Sequence, residues 1–297
     1  WVPGNVLEWH FDDSLPATAI WCRSWGIVSF DDCGEFMAMI RRSLVSTGRC
    51  WLAGCFLLLA GGTSLSLAAE SAIEEAAVER LRKSMAYLAD LKAFGLETQS
   101  TIEAVLHSGQ KIQFDNAINV TVQRPDKMHA KRLGDLVDQE FFYDGETLTL
   151  YDAAVGYHAT VEAPDTLEGM LDFARDSLDI VAPAGDFIYA DAFDLLMEGV
   201  ESGFVVGTSY VEGVVCDHLA FSAPETGTDW QIWIQQGEQP LPRRIVITSR
   251  DVLNAPQYSV HIREWDLTPE ISPADFRFST PEGSTAIEFL RSDSDDR

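Results

Sequence analysis

The chain has 297 residues, of which 47 are acidic and 21 basic, for a formal net charge of −26. A surface that acidic repels phosphate backbones and anionic headgroups, so nucleic acid is excluded as a partner.

In chain order, residues 1–36 read as an upstream segment outside the native protein, because the first methionine is Met37. Residues 37–68 have the anatomy of a secretory signal peptide. Arg41, Arg42 and Arg49 form a basic start, Trp51 to Ala60 an apolar run, and Ser66-Leu67-Ala68 a small-x-small cleavage site. An uncleaved anchor is the alternative, since Cys50 to Ala69 is uncharged over about a membrane span. The glycines, threonine and serines after Ala60 weaken its second half. Leu52-Ala53-Gly54-Cys55 spells a lipobox, but most of the apolar run follows that cysteine, so it reads as coincidence. The expected destination is the periplasm, free of a lipid or membrane anchor.

Residues 1–68 hold six acids and four arginines, so cleavage leaves 41 acidic and 17 basic residues, a net of −24. Cys22, Cys33, Cys50 and Cys55 leave with that segment, and Cys216 alone cannot form an internal disulfide. Residues 69–290 then read as one β-rich domain, and 291–297 (SDSDDR at its end) as a disordered tail.

Ser71 and Glu74 suggest a capping box for a helix whose stripe is Val78, Leu81, Met85 and Leu88, ending near Phe94-Gly95. Strands follow at period two. Ile102, Ala104 and Leu106 precede a Ser108-Gly109 turn. Ile112, Phe114, Ile118, Val120 and Val122 then occupy even positions up to Pro125. Met128 and Ala130 start a shorter strand. Phe141 and Tyr143, then Leu148 and Leu150, flank Asp144-Gly145, a strong hairpin signal in which both central positions would take positive φ.

Past Pro164 the period lengthens. Asp165 and Glu168 suggest the cap of a helix carrying Leu167, Met170, Leu171, Ala174 and Leu178. Asp191 opens another, with Phe193, Leu195, Leu196 and Met197, ended by Gly199. Pro183 and Gly185 form a flexible joint between them. Strands resume at Gly203 and run to Phe278. The fold class is therefore mainly β (α+β): one large curved antiparallel sheet with an apolar helical insertion. A sheet of nine or more strands curls, and an incompletely closed one leaves a groove that the helices would cover.

No G-x-S-x-G elbow, P-loop, G-x-G-x-x-G or H-E-x-x-H motif is present, and no cofactor is implied. His107, His129, His158, His218 and His261 lack ligand spacing. Cys216 and His218 share one face of a predicted strand, as a thiolate–imidazole dyad or half a metal site would require. Such neighbours stand roughly 6.5–7 Å apart, too far for a direct hydrogen bond, so a buried thiol beside a satisfied histidine is the expectation.

Three stretches carry a resemblance: Val122 to Lys127 (VQRPDK), Asp144 to Asp152 (DGETLTLYD) and Phe276 to Gly283 (FRFSTPEG). Together they resemble the periplasmic lipoprotein carrier superfamily, LolA/LolB-like. More closely, VEGVVCDHLAF and DWQIWIQQGEQPLPRRIVIT look like the DUF2092 family of predicted periplasmic proteins. The resemblance spans about Ala72 to Gly283. It implies a half-open barrel covered by helices, an apolar cavity for acyl chains, and a lid-holding role for Arg124.

The expected function is non-enzymatic binding of lipid or lipoprotein acyl chains, of carrier or chaperone type. The cavity would be lined by Val120, Val122, Phe141, Tyr143, Leu150, Trp230 and Ile232 from the sheet, and by Leu81, Met85, Met170, Phe193 and Leu196 from the helices. The partner would be a lipid or acylated lipoprotein, with an envelope membrane protein as a second. The alternatives are an envelope-stress sensor with the same cavity and a hydrolase built on Cys216 and His218.

Overall fold

Period-two alternation becomes strand wherever the sequence carries it, and the strands assemble into a single sheet. The structure, a computed structural model, describes residues 72–289 apart from Leu136, Val181, Pro183 and Ala184. The expected signal peptide, the segment upstream of it and the C-terminal tail lie outside the described residues, as does the joint residue Pro183.

Helix α1 (Glu75–Asp90) comes first. A meander follows: β1 (Ala93–Val105), β2 (Lys111–Gln123), β3 (Lys127–Gly134), β4 (Asp138–Tyr143), β5 (Thr147–Asp152) and β6 (Tyr157–Glu162). Helix α2 (Leu167–Leu178), a 3-10 turn (Gly185–Ile188) and helix α3 (Ala192–Met197) form the insertion. A second meander comprises β7 (Ser202–Val211), β8 (Val214–Ala223), β9 (Thr228–Gln235), β10 (Pro242–Ser249) and β11 (Gln257–Asp266), with a short β12 (Thr285–Ala286) at the end.

The spatial order is β12-β6-β5-β4-β3-β2-β1-β11-β10-β9-β8-β7, one 12-stranded sheet. Antiparallel pairing of β1 with β11 joins the two meanders. Among the described strands, β12 against β6 is the parallel pair. The sheet ends at β12 and β7 without closing on itself.

Several local expectations are corrected. Helix α1 ends at Asp90, and Phe94 and Gly95 already belong to β1, which starts nine residues before Ile102. Thr98 and Ser100 hide that start, because they put polar residues where the alternation should be apolar. Glu74 is the N-cap of α1 without a side-chain cap bond; its carboxylate accepts from the Val205 backbone N–H at 2.8 Å instead. Thr166, not Asp165, caps α2, with its hydroxyl accepting from Gly169 N at 3.1 Å.

The Asp144 turn holds three residues, so only Gly145 has positive φ (91°), while Asp144 Oδ1 accepts from the N–H groups of Glu146 and Thr147. A Cβ at Gly145 would meet Asp126 Oδ2 at 2.7 Å, so glycine is required on two counts. The last long strand ends at Asp266 rather than Phe278. Phe278 instead packs as loop against Phe142, Tyr151 and His158.

The core lies between the insertion with α1 and one face of the sheet. Register puts Phe94, Val122, Met128, Tyr143 and Leu148 side by side on that face. All five are buried against a cluster that includes Leu81, Met85 and Leu88 of α1 and Met170 and Leu171 of α2. A small second cluster, Val211, Cys216, Trp233 and Val246, sits on the opposite, outer face.

Leu81 is 0% exposed, so Leu81→Ala should cost about 2–5 kcal/mol by removing buried methyls and leaving a cavity. Leu253→Ala, at 69% exposure, should change stability by less than about 0.5 kcal/mol. Urea unfolding of both variants checks this, and equal losses would contradict the placement of α1.

Candidate functional site

The inner face of the sheet changes character along β1 and β2. At the helix-covered end Phe94 and Val122 are buried. Further along, the paired residues Ile102 and Phe114, then Ala104 and Ile112, are apolar and only half-buried. None of these four belongs to the main core cluster, nor does Ile118 between the two ends. Among the described residues, the sheet therefore continues as apolar surface beyond the stretch that the helices pack against.

Most of the expected lining residues meet in one place. Leu81, Met85, Val122, Tyr143, Met170, Trp230 and Ile232 are buried in the core cluster, and Val120, Phe141, Phe193 and Leu196 pack on it. Leu150 lies on the same face, paired with Phe141, and is buried outside that cluster. Phe193 is further covered by the Arg82 guanidinium, 4.4 Å from its ring centre, which ties α1 to α3. Under the helices the inner face is thus occupied by the protein's own side chains.

The start of α2 is fastened to the sheet at several points. Leu167 N–H donates to Pro125 O at 2.9 Å, and the Tyr143 hydroxyl donates to Pro164 O. Arg124 stands at the same corner, its side chain 10% exposed, with Nη1 3.5 Å from Glu168 Oε1. Glu168 Oε1 also accepts from Ala190 N–H at 3.2 Å, so one carboxylate links the sheet corner, α2 and the segment leading to α3. Burial lowers the Arg124 pKa against the opposing pull of Glu168. Gly185, the described half of the expected joint, begins the 3-10 turn.

Sequence reasoning missed a band of polar side chains across the inner face. Register aligns Asp152, Gln139, Arg132, Ile118 and Thr98 from β5 to β1, with Asn116 and Ser100 in the adjoining row. Arg132 Nη2 donates to Gln139 Oε1 at 2.6 Å, and Gln139 Nε2 donates to Asp152 Oδ2 at 3.3 Å. Tyr258 of β11 shares a hydrogen bond with Ser100 and interacts with Arg132.

Two strands, β2 and β1, separate β3 from β11, roughly 14 Å on a flat sheet, and the long Arg132 and Tyr258 side chains interact electrostatically across them. Burial pushes the Arg132 guanidinium down to about 10 and the Tyr258 phenol up to about 12. The signal that could have found the band is parity. Asn116 continues the even positions of Ile112 and Phe114, and Arg132 those of Met128 and Ala130.

Cys216 and His218 have separate partners. The Cys216 thiol is 0% exposed and donates weakly to Val214 O, and burial raises its pKa. The His218 ring stacks on Trp233 at 4.1 Å and bonds Gln231 Oε1 at 2.9 Å, while burial lowers its pKa. A nucleophilic dyad needs the opposite shifts, a thiol pushed down and an imidazole pushed up. Among the described residues no group of three or more His, Cys, Asp or Glu side chains could hold a metal ion.

Residues 77–290 match the family described as "Predicted periplasmic protein (DUF2092)", and the chain belongs to that family. The comparison with curated proteins finds no match. Among solved structures, LprF from Mycobacterium bovis is similar at 14% identity and a TM-score of 0.43, covering 72% of this chain and 99% of that one. The Mycobacterium tuberculosis lipoprotein LppX is similar at 14% identity and a TM-score of 0.38, covering 67% and 98%. A LolA superfamily protein from Nitrosomonas europaea is similar at 9% identity and a TM-score of 0.32, covering 68% and 97%. At such scores these likenesses carry no argument about what the chain binds.

The Cys216 and His218 environments make a joint prediction. Iodoacetamide should label Cys216 slowly in the native protein at neutral pH, and NMR should find the His218 ring protonating below about 6.5. Since the folded value lies below the unfolded one, the stability this neutral ring carries is complete above about pH 6.5 and declines as pH falls towards the folded value. Rapid labelling at neutral pH would contradict the arrangement.

Proposed function

We propose that this member of the DUF2092 family is a periplasmic, non-enzymatic binding protein that takes lipid or lipoprotein acyl chains on the inner face of its sheet. One observation carries the reading: the apolar surface of β1 and β2 runs on, half-buried, past the last helix that packs on it. Aliphatic chains suit such a surface because they need burial and make few geometric demands. Each methylene transferred there contributes about 0.8 kcal/mol. A guest would lie on the uncovered rows (Ile102, Phe114, Ile118) and stop short of Val120 and Phe141, which pack on the core. Further passage, between Val122, Tyr143, Leu150, Trp230 and Ile232 on one side and Leu81, Met85, Met170, Phe193 and Leu196 on the other, requires α2 and α3 to lift. Arg124 and Glu168 oppose that lifting, which gives the pair a lid-holding role.

Protein purified from the periplasm of its own host should release acyl lipid on solvent extraction, read by mass spectrometry. Protein that is consistently empty and binds no acyl probe would contradict the proposal. Glu168→Gln should leave the fold intact but loosen α2. Because the pair is partly exposed, worth about 1 kcal/mol or less, acyl affinity should rise by no more than about fivefold. Equilibrium dialysis checks this, and unchanged or weakened affinity would remove the lid-holding role.

A further inference from the structure

A fatty guest is never pure hydrocarbon: an acyl chain ends in a carbonyl whose oxygen must find a donor once water is excluded. The inner face has one place that supplies donors. Register puts Arg132, Ser100 and Tyr258 on this face, at the boundary between the helix-covered core and the uncovered apolar rows, with Tyr258 hydrogen-bonded to Ser100 and within electrostatic range of Arg132. Gln139 is committed on both sides, accepting from Arg132 and donating to Asp152, and so fixes the direction of the guanidinium. Asp152 is held in turn by the Ala154 and Val155 N–H groups at 3.0 and 3.3 Å. Ser100 and Gln139 form a buried floor at 1% and 3% exposure, while Arg132, Asn116 and Tyr258 are half-buried.

We propose that this band is the recognition site for the carbonyl head of the guest, an acyl ester or amide, with Arg132 and Tyr258 donating to its oxygen. The inference rests on the acyl-binding reading and deepens it. It also sets the orientation: the hydrocarbon tail lies along Ile102, Phe114 and Ile112, and the head points inward to the band. A neutral head fits better than a phosphate, because Asp152 already offers Arg132 a countercharge and the mature chain carries a net of −24. Buried polar side chains elsewhere on the sheet have a local use, as Thr149 does with Thr160 on the outer face at 2.8 Å. The band is different, since its donors face the same apolar surface the guest would occupy.

The test is equilibrium dialysis of radiolabelled methyl laurate against radiolabelled dodecane, with the full mature chain and with Tyr258→Phe and Arg132→Met. Wild type should prefer the ester by about tenfold, and each variant should lose about fivefold of that preference while binding dodecane as before. Tyr258→Phe removes a single hydroxyl, so it keeps the test valid if Arg132→Met fails to fold. An ester preference unchanged in the folded variants overturns the recognition site and leaves acyl binding standing. If wild type binds neither probe, acyl binding and the recognition site are both overturned.

Discussion

The structure depends on a mismatch of areas. Twelve strands at about 4.8 Å spacing would span roughly 53 Å if laid flat, whereas the helices among the described residues are three, of 16, 12 and 6 residues. Curling the sheet narrows the gap, and the insertion between β6 and β7 brings two of the helices to where cover is needed. Among the described residues, the inner rows Ile102 with Phe114 and Ala104 with Ile112 of β1 and β2 are apolar and lie outside the core cluster that the helices join. An apolar surface left facing water is retained at a cost unless something else occupies it.

The pairing of β1 with β11 makes that surface continuous. It joins strands distant in sequence, so the sheet forms one concave face instead of two smaller ones, and it brings Tyr258 to the same curve as Arg132. The corner at Arg124 and Glu168 anchors α2 to the sheet at one end, and the guest is proposed to lie at the other end of β1 and β2. The strong net negative charge fits the same division of labour. It discourages self-association of a protein that exposes apolar surface, without reaching the shielded interior.

How much of this could be read from sequence follows from what alternation reports. The long even-numbered run Ile112 to Val122 and the hairpin at Asp144-Gly145 were legible, because apolar residues on the inner face and turn chemistry are local signals. The early part of β1 was not, since Thr98 and Ser100 place polar groups on the buried face and break the pattern. The polar band was missed for the same reason: a polar residue in a strand reads as solvent-facing by default. Only the cross-strand register shows that Arg132, Gln139 and Asp152 stand in one row of the inner face. At the level of sequence only a lid-holding role for Arg124 was implied, by resemblance; its ion pair with Glu168, at 3.5 Å, was legible only in the structure. Loop versus strand after Asp266 was illegible, since Phe276 and Phe278 are aromatic enough for either.

The central claim is that the guest lies on the uncovered inner rows of β1 and β2. Photo-crosslinking with a diazirine-bearing acyl ester, followed by peptide mapping, tests it most directly. Adducts should concentrate on Ile102, Phe114 and Ile118. Adducts confined to the outer face around Val211, Val214 and Trp233 would contradict the account.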